Sequence, residues 1–240
     1  MSTGTRAQAS IEPILRARAL TRVFGSGSTR VEACACVDVD VRPGELLVIR
    51  GRSGSGKTTL LNLLAAVDRP TSGSVWLGDV ELSAASEDEL VRVRRDRIGF
   101  VFQGFGLIPV LSAAENVELP LRLLGLPAGE REERVARALE DVGLTEHAAQ
   151  RPPEMSGGQQ QRVGIARAIV SEPEVLFADE PTGQLDSITA AATMDLLVTL
   201  VRQRGTAAVV TTHDPLLVAR ADRVLELHDG RVVDEVRATG

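Results

Sequence analysis

Aromatic residues are scarce in this sequence, which contains five Phe, one Trp and no Tyr. Proteins that bind single-stranded nucleic acid usually stack bases on rows of aromatic side chains. An excess of basic charge is also absent, because the formal net charge is −6. These two absences argue against a protein that binds nucleic acid through a basic face, and we expect no nucleic-acid partner.

Long apolar runs are also missing, since no stretch approaches the roughly 18 residues that a membrane-spanning helix needs. Residues 1–11 are polar, lack the apolar segment of a secretion signal and are predicted to be a flexible tail. We therefore expect a cytoplasmic protein whose membrane role would need a partner. The only two cysteines, Cys34 and Cys36, would share one face of a strand, which disfavours a disulfide and predicts small packing residues.

Short apolar runs alternate with helical patterns along the rest of the chain. The segments ELLVIR, RIGFVFQ, EVLFADE and TAAVVTTH read as buried strands, and REERVARALEDVGL has apolar residues at helical spacing. This alternation predicts an α/β fold with a mostly parallel sheet. We expect two parts of a core over residues 12–103 and 172–240, with a helical lobe over residues 104–171 inserted between them.

The strongest single motif is GRSGSGKT, which matches the phosphate-loop pattern GxxxxGK[ST] between a predicted strand and a helix. Its backbone N–H groups and the helix N-terminus would bind phosphates, Lys57 would contact the β- and γ-phosphates, and Thr58 would bind Mg²⁺. The other expected nucleotide contacts are Gly51, Ser53, Gly54, Ser55, Gly56 and Thr59. The motif alone does not separate transporters, GTPases, kinases and helicases, although no NKxD guanine motif is present.

A second motif, EVLFADEP, places two carboxylates after a buried strand. Asp179 and Glu180 would emerge at the carboxyl edge of the sheet, where α/β folds bind ligands. There Asp179 can hold Mg²⁺ and Glu180 can act as a general base for an attacking water.

A third motif, MSGGQ, identifies the family that the chain resembles. Ser156, Gly157, Gly158 and Gln159 resemble the LSGGQ signature of ATP-binding-cassette (ABC) ATPases. The resemblance covers residues 12 to 235 and implies a P-loop NTPase (RecA-like) core with an N-terminal antiparallel β region. It also implies a homodimer in which two subunits pair head to tail, so that the signature of one faces the ATP of the other.

The same resemblance assigns roles to residues outside the three motifs. Phe24 matches the adenine-stacking aromatic, Gln103 the residue that senses Mg²⁺ and the attacking water, and Asp186 the loop that crosses the dimer interface. His213 matches the residue that contacts the γ-phosphate. The implied cofactors are ATP and Mg²⁺, with Thr58, Gln103 and Asp179 at the metal and Glu180, His213, Gln103 and Lys57 in catalysis. Met155, Phe24 and Gln184 depart from the usual Leu, Tyr and Asn.

Two longer sequence segments resemble one branch of the family. FVFQGFGLIPVLSAAENVELPL and ADEPTGQLD are similar to the lipoprotein-release, macrolide-efflux and cell-division group. This implies a subunit at the inner face of the cell membrane that powers a separate integral membrane permease for lipophilic substrates, peptides or drugs. An alternative is an ATPase that moves no substrate and transmits force through a membrane partner to control extracytoplasmic enzymes. A soluble ABC ATPase of DNA repair or translation is disfavoured, because no long coiled-coil insertion is present.

Three of the five phenylalanines lie within six residues. Phe100 and Phe102 are predicted to share a strand face and pack in the core. Phe105 falls in the apolar loop GFGLIP, where it could line a groove for a permease helix or pack under the helical lobe.

Overall fold

The computed structural model describes residues 12–237, so the predicted tail over residues 1–11 lies outside the described residues. Within this range the strands are β1 (Leu15–Phe24), β2 (Val31–Val41), β3 (Leu46–Arg50), β4 (Ser72–Leu77), β5 (Val80–Glu81), β6 (Ile98–Val101), β7 (Val175–Asp179), β8 (Ala207–Thr211), β9 (Arg223–His228) and β10 (Arg231–Arg237). The helices are α1 (Lys57–Leu64), α2 (Glu87–Arg97), α3 (Ala113–Leu123), α4 (Ala128–Asp141), α5 (Gly157–Ile169), α6 (Ser187–Arg204) and α7 (Pro215–Val218).

The strands form two sheets. A four-stranded antiparallel sheet has the order β2-β1-β4-β5, as the N-terminal antiparallel region was predicted to be. A six-stranded sheet has the order β10-β9-β3-β8-β7-β6 and is parallel except for the β9–β10 hairpin. The carboxyl ends of β3, β6, β7 and β8 therefore meet at one edge of the larger sheet, where a ligand site is expected.

The larger sheet is buried on both faces because its central strands are continuous apolar runs. Along β3, Leu46 and Val48 belong to one core and Leu47 and Ile49 belong to the other. The first core also contains apolar residues of α3, α4, α5 and α6, and the second contains those of α1, α2 and the antiparallel sheet. The sheet is thus a middle layer that fixes the phosphate-loop side and the helical side relative to each other.

The helical segment between β6 and β7 consists of α3, α4 and α5, which pack against one another. As the helical spacing predicts, α4 buries Val135, Ala138 and Leu139. Each helix uses its own start signal: Ser112 caps α3, Pro127 precedes α4 and Ser156 caps α5. The side-chain caps formed by Ser112 and Ser156 stabilise their helices by about 1 kcal/mol each.

The predicted common face of Cys34 and Cys36 is wrong. Cys34 is buried in β2, whereas Cys36 is exposed with a φ of 51°. Leu20 pairs with Val37 while Arg22 pairs with Cys34, so β2 carries one extra residue at this point. An inserted residue is a β-bulge, and it moves the following side chains to the opposite face.

Candidate functional site

The phosphate loop connects β3 to α1 and is held between two other segments of the chain. A Cβ atom at Gly56 would lie 2.1 Å from the carbonyl oxygen of Ala33, and one at Gly51 would lie 2.3 Å from that of Leu227. Gly56 also has a φ of 100°, which side-chain-bearing residues rarely adopt. These two glycines are therefore required by packing against β2 and β9, in addition to any need for a ligand to approach the backbone.

A cleft of about 630 Å³ opens above this loop at the carboxyl edge of the larger sheet. It is lined by Gly51, Arg52, Ser53, Gly54, Gly56, Lys57, Thr58, Thr59, Gln103, Glu180 and His213. The cleft thus combines the phosphate loop with residues that follow β6, β7 and β8. Ser55, a predicted nucleotide contact, does not line the cleft, because it is buried beside Gly51. Its Oγ has no hydrogen-bond partner within the described part of the chain.

Lys57 is a nearly buried cation at the floor of the cleft. Its Nζ donates to the carbonyl oxygens of Gly51, at 2.9 Å, and Arg52, at 3.2 Å. The same Nζ lies 3.5 Å from Oε1 of Glu180. The ammonium group is therefore aimed into the loop that would hold phosphates, with a carboxylate beside it.

Glu180 and His213 form a direct pair across the cleft. His213 Nδ1 lies 2.7 Å from Oε2 of Glu180, and the Glu180 side chain is only 16% exposed. The backbone of Glu180 has a φ of 43°, and its N–H donates to the carbonyl oxygen and Oγ1 of Thr211. A non-glycine residue in this strained region costs on the order of 1 kcal/mol or more and often marks a functional site.

Asp179 lies next to the phosphate loop and could hold a metal. Its Oδ1 accepts hydrogen bonds from Thr58 Oγ1, at 3.2 Å, and from Thr211 Oγ1, at 2.6 Å. Among residues 12–237 no group of three or more His, Cys, Asp and Glu side chains is placed to bind a metal by itself. A hydroxyl and a single carboxylate suit Mg²⁺, which typically takes one or two carboxylates together with substrate phosphates and water.

The signature segment lies outside this cleft. Ser156 caps α5: its Oγ accepts from the N–H of Gln159, and the Gln159 side chain accepts from the N–H of Ser156. Asp186 likewise caps α6, and hydrogen bonds from Thr189 and Ile188 lower the pKa of its carboxyl group. Phe24, at the end of β1, is 42% exposed, with the Arg22 guanidinium 4.6 Å from its ring. Phe24, Asp186 and the segment Ser156–Gln159 do not line the cleft.

A second cavity, of about 370 Å³, is a groove between the larger sheet and the helices. Its apolar side is formed by Phe100, Phe102, Leu119, Pro120 and Leu123, and its polar side by Arg94, Arg95 and Arg167. Phe100 is half-buried and packs against the second core, as predicted, whereas the predicted burial of Phe102 is wrong, because β6 is an edge strand that ends at Val101. Phe102 is 47% exposed and its ring lies 4.6 Å from that of Phe100. Phe105 instead packs along α5, as the alternative under the helical lobe predicted.

Two residues that bind the segment between β6 and α3 were missed by the sequence analysis. Asn116 is fully buried and binds the loop before α3: it accepts from the N–H of Ile108 and donates to the carbonyls of Ile108, Leu111 and Ser112. Arg167 donates to the carbonyl oxygens of Phe105 and Gly106. A charged residue flanked by buried Ala166 and Ala168 was the available signal for Arg167, whereas the short motif ENV gave none for Asn116.

Comparison with known proteins identifies the family of the chain. The profile of the ABC transporter family matches residues 34–183. The macrolide export ATP-binding/permease protein MacB of Nitrosomonas europaea is 46% identical over 224 residues, which cover 93% of this chain and 34% of that protein. The pyoverdine export ATP-binding/permease protein PvdT of Pseudomonas syringae pv. tomato is 45% identical over 224 residues, with the same two shares.

Among solved structures, the ATP-binding cassette MJ0796, as a dimer in a post-hydrolysis state bound to ADP and Pi, is 40% identical with a TM-score of 0.87. That match covers 94% of this chain and 99% of the other. The chain belongs to the ABC transporter family and has the fold of an ATP-binding cassette, which confirms the predicted family and P-loop fold. It spans about a third of the length of the curated relatives it matches. None of its described helices combines the length and apolar character needed to cross a membrane.

Proposed function

We propose that this chain is an ATPase that binds ATP with Mg²⁺, dimerises head to tail with a second copy, and powers an integral membrane permease. The observation that carries the proposal is the single cleft that joins the phosphate loop to the Glu180–His213 pair. A phosphate-binding loop and a poised carboxylate in one water-accessible cleft are the two parts that nucleotide hydrolysis requires.

In this proposal the phosphate loop binds the triphosphate. The backbone N–H groups of Ser53, Gly54 and Gly56 and the N-terminus of α1 would donate to phosphate oxygens, and Lys57 would neutralise the β- and γ-phosphates. Thr58 and Asp179, already in contact with each other, would hold Mg²⁺ together with Gln103, which lines the same cleft. Bound Mg²⁺ would polarise the phosphoryl oxygens and neutralise charge as the bond to the leaving group breaks.

Glu180 is the proposed general base. The bond from His213 to Oε2 leaves Oε1 facing Lys57, and a γ-phosphate that attracted Lys57 would free Oε1 to accept a proton from water. His213, with its side chain 75% exposed, is then available to a phosphate oxygen as well as to Glu180. The strained backbone of Glu180 fits a side chain whose position matters more than its contribution to stability.

In this proposal the second copy supplies its signature segment to the nucleotide bound in the cleft. Ser156, Gly157, Gly158 and Gln159 present the N-terminus of α5 at the surface, and a partner's phosphate-bound cleft is a suitable acceptor for its N–H groups. Asp186 would lie at the interface between the two copies. The exposed Phe24 would stack on the adenine ring of ATP. The dimeric state of the related cassette bound to ADP and Pi supports this pairing.

The permease proposal has separate support. The relatives are named ATP-binding/permease export proteins, so the remaining two thirds of their length carries more than a cassette. The groove with Phe102 and Leu123 exposed at its edge is the surface we propose for a permease segment, with residues 104–171 as the lobe that moves. The chain would then work at the cytoplasmic face of a membrane, in export of lipophilic substrates, peptides or drugs.

The test uses Glu180→Gln with the exposed acid variant Glu140→Gln as its control. Size-exclusion chromatography with and without Mg-ATP should show an ATP-dependent dimer for Glu180→Gln, because ATP is bound and not hydrolysed. ADP should not produce it. Glu140→Gln should hydrolyse ATP at the unsubstituted rate. Normal hydrolysis by Glu180→Gln would show that the base is assigned wrongly.

A further inference from the structure

Arg167 reaches from α5 to the loop that follows Gln103. Its Nη1 donates to the carbonyl oxygen of Gly106 at 2.6 Å, and its Nη2 donates to that of Phe105 at 3.1 Å. The centre of its guanidinium group lies 6.0 Å from the ring of Phe102. One side chain therefore contacts three residues of the segment immediately around Gln103.

The charge of Arg167 is not matched by an acid within the described part of the chain. The other two arginines of the groove, Arg94 and Arg95, form ion pairs with Glu87 and Asp96. Arg167 has no such contact among residues 12–237, and its burial lowers the pKa of its guanidinium group. A cation in this position is held by carbonyl dipoles and an aromatic face alone, and an apolar residue would be the simpler choice if packing were its only purpose.

The loop that Arg167 binds has an unusual backbone. Phe105 has a φ of 60° and Gly106 a φ of 62°, so two successive residues are left-handed. Such a pair is sparsely populated and persists only where the surroundings hold it. The guanidinium fork, with its fixed planar donors, binds both carbonyls that this conformation turns toward α5.

Phe105 also lies along α5 as far as the signature. A Cβ atom added at Gly157 would lie 3.6 Å from the ring atom Cζ of Phe105. A Cβ atom added at Gly164 would lie 3.3 Å from the carbonyl oxygen of Phe105. Residues 157 and 164 lie two turns apart on one face of the helix. The loop that begins at Gln103 thus contacts the signature helix near its start, at Gly157. Arg167, near the C-terminal end of the same helix, holds the loop by its hydrogen bonds to Phe105 and Gly106.

We propose that Arg167 is a positioning residue that fastens the Gln103 loop to the signature helix, so that Gln103 and Ser156 move as one body. The proposal rests on the proposed ATPase function, in which Gln103 approaches Mg²⁺ and Ser156 approaches a partner's phosphate.

The experiment compares Arg167→Lys with Arg162→Lys in the full chain. Arg162 lies on the same helix and also donates to backbone carbonyls, of Gly158 and Val142, but not to the Gln103 loop. Hydrogen–deuterium exchange of residues 104–107 should be about tenfold faster in Arg167→Lys and unchanged in Arg162→Lys. The Mg²⁺ concentration for half-maximal ATPase activity should rise about tenfold in Arg167→Lys only, as for other residues that orient a metal's contacts. Half-saturation is independent of the fraction of active protein, so partial unfolding would not mimic this result.

Arg167→Gln, which keeps a donor without the charge, serves if the lysine variant does not fold. Faster exchange without a change in Mg²⁺ half-saturation would reduce Arg167 to a structural contact and overturn the proposal. Unchanged exchange would overturn it as well. If the unsubstituted chain hydrolysed no ATP, the proposed function would fail, while the exchange measurement would still decide whether Arg167 fastens the loop.

Discussion

Two helices of this chain begin with a glycine-rich segment, and their N-termini differ in what satisfies them. At α1 the capping residue is Gly56, which has no side chain to offer, so the first N–H groups of the helix face the cleft. At α5, Ser156 and Gln159 form a capping box in which the N–H of each residue donates to the side chain of the other. A free helix N-terminus lacks partners for four N–H groups, so α1 is built to receive an anion and α5 is already partly satisfied.

The phosphate loop and the signature segment are therefore not equivalent as anion-binding sites. The phosphate loop has walls from the residues that follow β6, β7 and β8, with Lys57 beside Glu180, and under the proposed function it would bind nucleotide within one chain. The signature segment has no such walls, and under the proposed function it becomes a ligand contact only when a second chain covers it.

Replacing Lys57 should have the largest effect, a loss of affinity for ATP that replacing Ser156 does not cause. We expect Lys57→Met to weaken ATP binding by the monomer about 100-fold, because a buried charge-assisted contact to phosphate is lost. Ser156→Ala should change monomer affinity less than about twofold, since the signature lies outside the cleft. Titration calorimetry with Mg-ATP measures both. Equal loss of affinity in the two variants would mean that the signature contributes to nucleotide binding within one chain.

The two signature glycines should respond differently to a methyl group. A Cβ at Gly158 would lie 2.3 Å from Cγ2 of Thr189, whose hydroxyl donates to Asp186, whereas one at Gly157 meets only ordinary contacts. Gly158→Ala should therefore cost about 1–3 kcal/mol, which lowers Tm by roughly 2–12 °C in a chain of this size. Gly157→Ala should leave Tm unchanged or slightly higher. Thermal unfolding followed by circular dichroism decides this, and an equal loss in both would contradict the contact with Thr189.

The smallest effect is expected on the phosphate-loop side, at the two cysteines of β2. Burial raises the pKa of the Cys34 thiol to about 12, so almost no thiolate is present near pH 8, and the side chain is inaccessible. Ellman's reagent should modify one thiol of the native chain, Cys36, and the second only after unfolding. Modified chain should bind nucleotide with less than about twofold change, because Cys36 does not line the cleft. Cys36→Ser should remove the fast phase, and its persistence would place the reactive thiol at Cys34.

The sequence was sufficient for the parts of the fold and site that depend on short segments. Continuous apolar runs predicted β3, β7 and β8, and the phosphate-loop pattern placed Lys57 and Thr58 between a strand and a helix. Because parallel strands end at one edge, it also followed that Asp179 and Glu180 would lie near that loop. The observed contacts of Thr58 with Asp179 and of Lys57 with Glu180 agree with that expectation.

Other features depend on packing between distant segments, which periodicity does not report. The bulge that exposes Cys36 is visible only once β2 is paired with β1. Phe102 is exposed because β6 lies at the sheet edge, and the edge position follows from strand order. Arg167 and Asn116 bind backbone carbonyls, and the side-chain pattern does not identify these carbonyl partners.

The glycine at the β9–β10 turn links the phosphate loop to the last strands. The N–H of Gly230 donates to the carbonyl oxygen of Ser55, and its own carbonyl accepts from Ala35. On a ribosome that adds ~5–20 residues per second, Gly230 follows Ser55 by on the order of ten seconds or more. A nascent chain therefore carries its phosphate-loop sequence long before it can complete the loop. Tight nucleotide binding should come late in synthesis and report that the β9–β10 hairpin has been added.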